Sequence, residues 1–265
     1  MATELLRRGL LDHRRALVGW CIGIAGYCAF VASIFPSIKG FPGFENLVKQ
    51  YPEALKSLFA ISGDITTGAG FLDTELFSLI LPLLVLTLAI GSGARTFAGE
   101  EETGRLELVL AYPLRRRSAV LAKGTALAVE IALVCAVGFL ALAALDGIVG
   151  LGLDFGHLAG GLLGVALLGL LYGWLALAIG AAWPSKVLAL GVPAGYAAAA
   201  YLVGGLHALA GWLDPLRFLS PFWLVGQAPL QNGLRWWGAL TVAAAAGLVL
   251  AGGAWLVGRR DLVLP

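Results

Sequence analysis

Residues 158–182 read LAGGLLGVALLGLLYGWLALAIGAA and contain no charged side chain. A bilayer core about 30 Å thick is crossed by a helix of about 20 apolar residues, so this stretch is long enough to span a membrane. Other stretches of the chain are comparable in length and hydropathy. We predict six membrane-spanning helices, at residues 16–35, 76–94, 124–145, 158–182, 187–210 and 236–257.

The composition supports an integral membrane protein. Hydrophobic residues make up 59% of the chain and charged residues 13%, and the mean hydropathy is +0.88. These values are far from those of soluble globular domains. Neither a linker-like run nor an internal repeat divides the sequence, so we expect one transmembrane domain over residues 1–265. The predicted fold class is all-α integral membrane.

The distribution of lysine and arginine predicts the orientation of the chain. The first span is too long for a cleaved signal peptide, so we expect it to be retained. Six spans place both termini on one side. That side carries thirteen of the eighteen basic residues and the opposite side five. Because cytoplasmic loops are enriched in Lys and Arg, we expect both termini in the cytoplasm of a bacterial-type cytoplasmic membrane.

Two extramembrane segments near the N-terminus have helical patterns. Residues 3–15 combine leucines with two arginine pairs, which predicts an amphipathic helix along the cytoplasmic interface before the first span. The outer loop, residues 36–75, contains PEALKSLFAIS from Pro52 onward. A proline at a first helical position followed by this pattern predicts a small external helix.

The connection between the last two spans, residues 214–235, contains the apolar run PFWLVGQAPL. This run is too short to cross a membrane and is interrupted by prolines. We therefore predict a re-entrant or interfacial segment before the sixth span. Its neighbouring tryptophans, Trp223, Trp236 and Trp237, are expected at the depth of the lipid headgroups.

The most strongly charged segment is FAGEEETGRLELVLAYPLRRRSAVLAK, residues 97–123, between the second and third spans. Thr103 or Gly104 suits a helix start, Glu107 favours the N-terminus through the helix dipole, and Pro113 ends the helix after about two turns. This short helix carries more apolar surface than a solvated loop needs. An alternative is that it lies on lipid headgroups, assisted by Arg115, Arg116 and Arg117.

Residues 100–123, EEETGRLELVLAYPLRRRSAVLAK, resemble the loop between the second and third spans of ABC type-2 exporter permeases. The span count, the amphipathic arm, the re-entrant segment and GFLDTELF at residues 70–77 are similar to that family's layout. The resemblance implies that about residues 101–113 form a coupling helix that docks on a separate nucleotide-binding subunit. The implied docking residues are Glu100, Glu101, Glu102, Gly104, Arg105, Leu106, Glu107, Leu108, Leu110, Tyr112 and Pro113, with Val109 and Tyr112 in variable apolar positions.

The resemblance implies that ATP is hydrolysed by another protein. A phosphate-binding loop needs GxxxxGK[ST], and no lysine of this chain follows a glycine. We therefore expect no catalytic, cofactor or metal residue here, and ATP and Mg in the partner. The expected partners are an ATP-binding-cassette ATPase in two copies, a second permease chain, identical or homologous, and membrane lipid, but no nucleic acid. Apolar spans with few polar groups would suit a hydrophobic or amphipathic substrate, such as a drug, antibiotic, peptide or lipid.

Glu130 is the only carboxylate well inside a predicted span. Intramembrane carboxylates are costly and face protein or water, so Glu130 is a candidate for the transport pathway. The alternative is structural, with Glu130 paired to Lys123 or to a backbone group. Both roles stay open at this stage.

Small residues within the spans indicate close packing. Cys21, Cys28 and Cys135 lie in apolar stretches without a metal-binding spacing, so buried thiols are expected. Small-xxx-small patterns predict faces where helices approach closely. The glycines concerned are Gly160, Gly164, Gly169 and Gly173 in the fourth span, and Gly191 and Gly195 in the fifth.

Three other functions are alternatives to that of a permease subunit. An intramembrane hydrolase would pair Ser92 with His157 or His207, but the predicted topology places serine and histidines at opposite ends of the membrane. An ion-coupled secondary transporter would need paired buried charges, and no Lys or Arg lies deep in another predicted span. A non-transporting membrane scaffold would give no reason for the stiff helix within residues 97–123.

Overall fold

The computed structural model describes residues 2–39, 50–58, 65–96, 116–183 and 185–258. All regular structure in these residues is helical. A π-helical segment covers Asp73–Phe77, and a 3-10 helix covers Asp214–Leu219. The α-helices are α1 Ala2–Lys39, α2 Glu53–Leu58, α3 Gly68–Leu72, α4 Ile80–Ala94, α5 Arg116–Val149, α6 Phe155–Ala182, α7 Lys186–Leu206, α8 Pro221–Val225, α9 Pro229–Asn232 and α10 Trp236–Val257.

Six helical stretches among the described residues are long and apolar enough to cross a membrane. They are Arg14–Lys39, Gly68–Ala94, Arg117–Val149, Phe155–Ala182, Lys186–Leu206 and Trp236–Val257. The all-α class and the six spans predicted from hydropathy are thereby confirmed.

The second span begins at Gly68, not at residue 76 as predicted. Thr67 is its N-cap, and its Oγ1 accepts a hydrogen bond from Gly70 N at 3.1 Å. The predicted outer loop thus ends before Gly68, and GFLDTELF belongs to the span. The bounds of three other spanning helices also differ slightly from the predicted ones. The third spanning helix, α5, starts before residue 124, the fourth, α6, starts at Phe155, and the fifth, α7, ends at Leu206.

The N-terminal arm is helical but is not a separate element. Helix α1 runs without a break from Ala2 to Lys39, so the arm continues directly into the first span. The small helix predicted after Pro52 is present as α2. Ser57 of α2 donates a side-chain hydrogen bond to the carbonyl of Gly205 at the end of α7.

Helix α6 is the centre of the bundle and packs against α4, α5, α7 and α10. Its contact with α4 is close, because a Cβ on Gly93 would overlap the carbonyl oxygen of Gly173. Helices without side chains at the crossing point approach to backbone contact, which increases the dispersion energy between them.

Packing pairs along these helices define their directions. Phe77 lies against Gly161 and Gly93 against Gly173, so α4 and α6 run parallel. The ring centroids of Phe35 and Phe71 are 5.7 Å apart, which places the end of α1 beside the start of α3. Helices α6 and α10 begin at this end of the bundle, and residues 214–235 connect α7 to α10 there. We call it the hairpin end.

The predicted glycine faces are only half realised within one chain. Gly160, Gly164, Gly169 and Gly173 all pack closely against neighbouring side chains. In contrast, nothing lies within 4 Å of a Cβ built on Gly191 or Gly195, so the predicted close approach on α7 is absent among the described residues. Cys28 and Cys135 are buried and Cys21 is partly buried.

Replacing Gly93 by alanine tests the close crossing. The new Cβ would meet the backbone of Gly173, which cannot rotate away, so we expect Gly93→Ala to cost about 1–3 kcal/mol of unfolding free energy. Gly91→Ala is the matched control, because its Cβ would have its nearest neighbour at 3.5 Å, an ordinary contact. Thermal unfolding of the purified variants in detergent measures both. Equal midpoints for the two variants would contradict the crossing.

Candidate functional site at the re-entrant segment

Residues 214–235, predicted to be re-entrant or interfacial and called the re-entrant segment below, fold as the 3-10 helix followed by α8 and α9. Their turns use left-handed backbone, with φ of 102° at Gly226, 51° at Ala228 and 73° at Gly233. Glycine adopts such angles freely, whereas alanine is held in them by its surroundings. As the prolines predicted, none of these helices is long enough to cross the membrane.

A carboxylate of the second span caps helix α9. Asp73 is fully buried, and its Oδ1 accepts from Leu230 N at 3.0 Å while its Oδ2 accepts from Gln231 N at 3.0 Å. Helix N-termini leave such N–H groups without intrahelical partners, and the residue at the N-cap, Ala228, has no side-chain oxygen. Asp73 therefore acts as the N-cap from another part of the chain.

The fourth span holds the same short helix through His157. Its Nδ1 lies 3.0 Å from the carbonyl oxygen of Leu230. A carbonyl only accepts, so Nδ1 carries the proton. His157 is positioned at the start of α6, where the Oδ1 of Asp154 accepts from His157 N at 2.8 Å. Leu230 is thus bound at its N–H by the second span and at its carbonyl by the fourth.

The fifth span anchors the other half of the segment. Ser220 is fully buried, and its Oγ donates to Ala200 O at 2.6 Å. Gln227 donates through Nε2 to Gly204 O at 3.1 Å. A Cβ at Gly204 would lie 2.6 Å from the Oγ of Ser220, so glycine permits this approach.

A cavity of about 60 Å³ lies beneath the segment, between α4, α6 and α7. Most of its lining is apolar, and the polar side chains that reach it belong to Ser78, Tyr201 and Gln227. A water molecule needs about 10–15 Å³ of such space, so the cavity has room for a few waters rather than for a drug-sized ligand.

The predicted docking segment, Glu100 to Pro113, lies outside the described residues, and its structure stays a prediction. The helices on either side of it are described. Lys123 Nζ donates to Thr96 O at 2.7 Å, which joins the end of the second span to the start of the third. The helices that lead into and out of the segment are therefore held together at the end of the bundle opposite the hairpin end.

A family model described as "Multidrug efflux system permease Rv1217c, C-terminal domain" matches residues 10–256. The match runs across the six membrane-spanning helices almost from end to end. The chain belongs to this permease family. A search of curated proteins finds no match.

In this permease Ser92 and His157 do not form a hydrolytic pair. Gly93, next to Ser92, packs against Gly173 and Ala176, whereas His157 lies sixteen residues or more before them on the same helix, about 25 Å at 1.5 Å per residue. His157 and His207 also each contact a backbone carbonyl at the hairpin end.

Glu130 of the permease is buried on α5 at 4% exposure. Both the structural role and the pathway role of Glu130 stay predictions.

Asp73 is the functional candidate that sequence reasoning missed, because the second span was started after it. Glu130 is consequently not the only carboxylate in a spanning helix. The available signal was Thr67 followed by GAGFL, an N-cap pattern that moves the helix start to Gly68.

Removing the Asp73 carboxylate should loosen the re-entrant segment. Asp73→Ala leaves two N–H groups without an acceptor, each costing about 1–3 kcal/mol when buried, so we expect a loss of about 2 kcal/mol or more in unfolding free energy. Glu75→Ala is the matched control, since this carboxylate is exposed and lies on the same π-helical segment. Thermal unfolding in detergent compares them. An Asp73→Ala protein as stable as the control would show that the cap contributes nothing.

Proposed function

We propose that this chain is the membrane-spanning permease subunit of an ATP-binding-cassette exporter, driven by a separate ATPase. The observation that carries the proposal is the match of residues 10–256 to a family of efflux permeases. The resemblance of residues 100–123 to an ABC type-2 coupling loop supplies the finer assignment. The sequence contains no GK dipeptide, and the proposal therefore places the phosphate-binding loop in a separate ATPase.

In this proposal the motion of the ATPase is transmitted to the permease through residues 100–113. ATP-driven closure of two ATPase subunits moves two such coupling helices, one from each permease chain. The contact between Lys123 and Thr96 supports this mechanism, since it links the ends of the second and third spans on either side of the docking segment. The close crossing of α4 on α6 provides a stiff route from there into the bundle.

The second permease chain is proposed to face the exposed side of α7. Val187 is 79% exposed and Val192 50% exposed, and the open glycines Gly191 and Gly195 lie on the same helix. A small-residue face of this kind suits close contact with another helix. The transport pathway would then lie between the two chains.

The proposed cargo is hydrophobic or amphipathic. The matched family is described as multidrug efflux, which agrees with a drug or antibiotic as substrate. The proposed location is the cytoplasmic membrane with both termini in the cytoplasm, based on the distribution of Lys and Arg.

Co-purification tests the partner. The tagged permease, purified gently from its native membrane, should carry an ATP-binding-cassette protein and vanadate-sensitive ATPase activity. Export into inverted vesicles should require ATP and persist when a protonophore collapses the ion gradient. Absence of any ATPase, together with transport that the protonophore abolishes, would favour the ion-coupled alternative.

Charge reversal tests the docking segment. We expect Glu101→Lys with Glu107→Lys to weaken ATPase retention about tenfold or more, because like charges placed across an interface cost several kcal/mol. The measurement is the ATPase-to-permease ratio after affinity purification. Asp261→Lys is the control, since it reverses one charge on the same predicted side. A double variant that keeps its ATPase and its coupled transport would remove the docking assignment while leaving the permease itself intact.

A further inference from the structure

The hairpin end carries two arginines on one tryptophan. The guanidinium carbon of Arg217 lies 5.0 Å from the ring centroid of Trp223, and that of Arg235 lies 4.5 Å from the same centroid. Arg235 also stacks at 5.6 Å on Trp237. We call Arg217, Arg235, Trp223 and Trp237 the arginine–tryptophan cluster. Cation–π contacts attract each arginine to the indole, although the two cations repel one another.

The positive charge of this cluster is only partly compensated. Arg217 forms an ion pair with Asp214 at 2.7 Å. Arg235 has no carboxylate within ion-pair distance among the described residues. Burial, followed by the nearby charge of Arg217, lowers the pKa of Arg235. Two cations and one carboxylate therefore leave a net positive charge beside Trp223.

Several hydrogen-bond donors in the cluster are not bonded to any described residue. A guanidinium has five N–H donors. Arg235 donates through Nη1 to Trp223 O at 2.8 Å, and Arg217 donates through Nη1 to Asp214. The Nε of Arg217 is buried and has no partner among the described residues. If the cluster only stabilised the fold, the hydrogen bond from Arg235 to Trp223 O would be enough. That role gives no reason for Arg217 on the same ring.

The surroundings of the cluster are those of a membrane interface. Large apolar side chains at this end point outward, with exposures of 74% at Trp212, 65% at Leu219 and 64% at Trp236. Tryptophan at the end of a spanning helix lies at headgroup depth. A soluble anion would make no contact with these exposed apolar side chains. A phospholipid would place its acyl chains against them and its phosphate at the arginines.

We propose that Arg217 and Arg235, stacked on Trp223, bind the phosphate group of a phospholipid headgroup. The planar fork of arginine matches phosphate oxygens bidentately. The bound lipid would neutralise the cluster and hold the re-entrant segment against the start of α10. This site concerns the lipid around the permease, and it does not depend on an ATPase or on the nature of the cargo.

The test uses the full-length permease, delipidated in detergent and titrated with phosphatidylglycerol under native mass spectrometry and thermal unfolding. We expect saturable binding and a raised midpoint. Arg217→Gln with Arg235→Gln should weaken binding about tenfold or more, since charge-assisted hydrogen bonds to phosphate are lost. Lys56→Gln is the control, because it removes one cation from the hairpin end without touching the cluster. Unchanged binding in the double variant would overturn the proposal.

Two further arms separate the sources of stabilisation. A diacyl glucolipid, which lacks phosphate, should not reproduce the shift, and an equal shift would overturn the site. Inorganic phosphate alone should also fail, and full stabilisation by it would replace the lipid with a soluble ligand.

A further variant is expected to strengthen lipid binding, and it tests the site even if the double variant does not fold. Asp214→Asn frees Arg217 from its carboxylate and should strengthen phosphatidylglycerol binding. Binding that is unchanged or weaker in Asp214→Asn would contradict the cluster as the site.

Discussion

The structure depends on one constraint: hydrocarbon offers no hydrogen-bond partner to a backbone amide. A continuous helix satisfies its own amides, but a re-entrant segment breaks the ladder and exposes N–H and C=O groups. The chain meets this cost with side chains from three different parts of the molecule. Asp73 of the second span accepts from the amides of α9, His157 of the fourth span donates to the carbonyl of Leu230, and Ser220 of the segment itself accepts from Trp223 N. Two buried amides at one site need two acceptor atoms, and the buried carboxylate of Asp73 supplies both.

The second span connects the two ends of the molecule that carry polar contacts. At the hairpin end it supplies Asp73, and at the opposite end Thr96 accepts from Lys123. Between them α4 lies against the central helix at backbone contact. Asp73 lies on the π-helical segment that precedes α4, so a displacement at the predicted docking segment would reach the re-entrant segment through α4, the turn at residues 78–79 and this segment. This geometry links the proposed ATPase stroke to the part of the chain that faces the other side of the membrane.

Several features could be predicted because their cause is local. The small helix after Pro52 follows from a proline directly before a helical pattern, and the failure of residues 214–235 to cross the membrane follows from prolines in a short apolar run. Asp73 was missed because hydropathy averages over a window and does not find an N-cap at Thr67. The packing of Gly173 and the openness of Gly191 were also indistinguishable in sequence, since both lie in the same small-xxx-small pattern. Only the position of each helix in the bundle separates them.

The amino-acid sequence by itself determined the six spans and the all-α class, because membrane thickness demands a fixed length of apolar residues that any window of the chain reveals. Tertiary structure alone decided which groups meet at the hairpin end. Asp73 and Leu230 are 157 residues apart, and Arg217 and Arg235 come together only because both stack on Trp223. Such pairings depend on the crossing of helices and on the positive φ of Ala228, which alanine adopts only where its surroundings hold it.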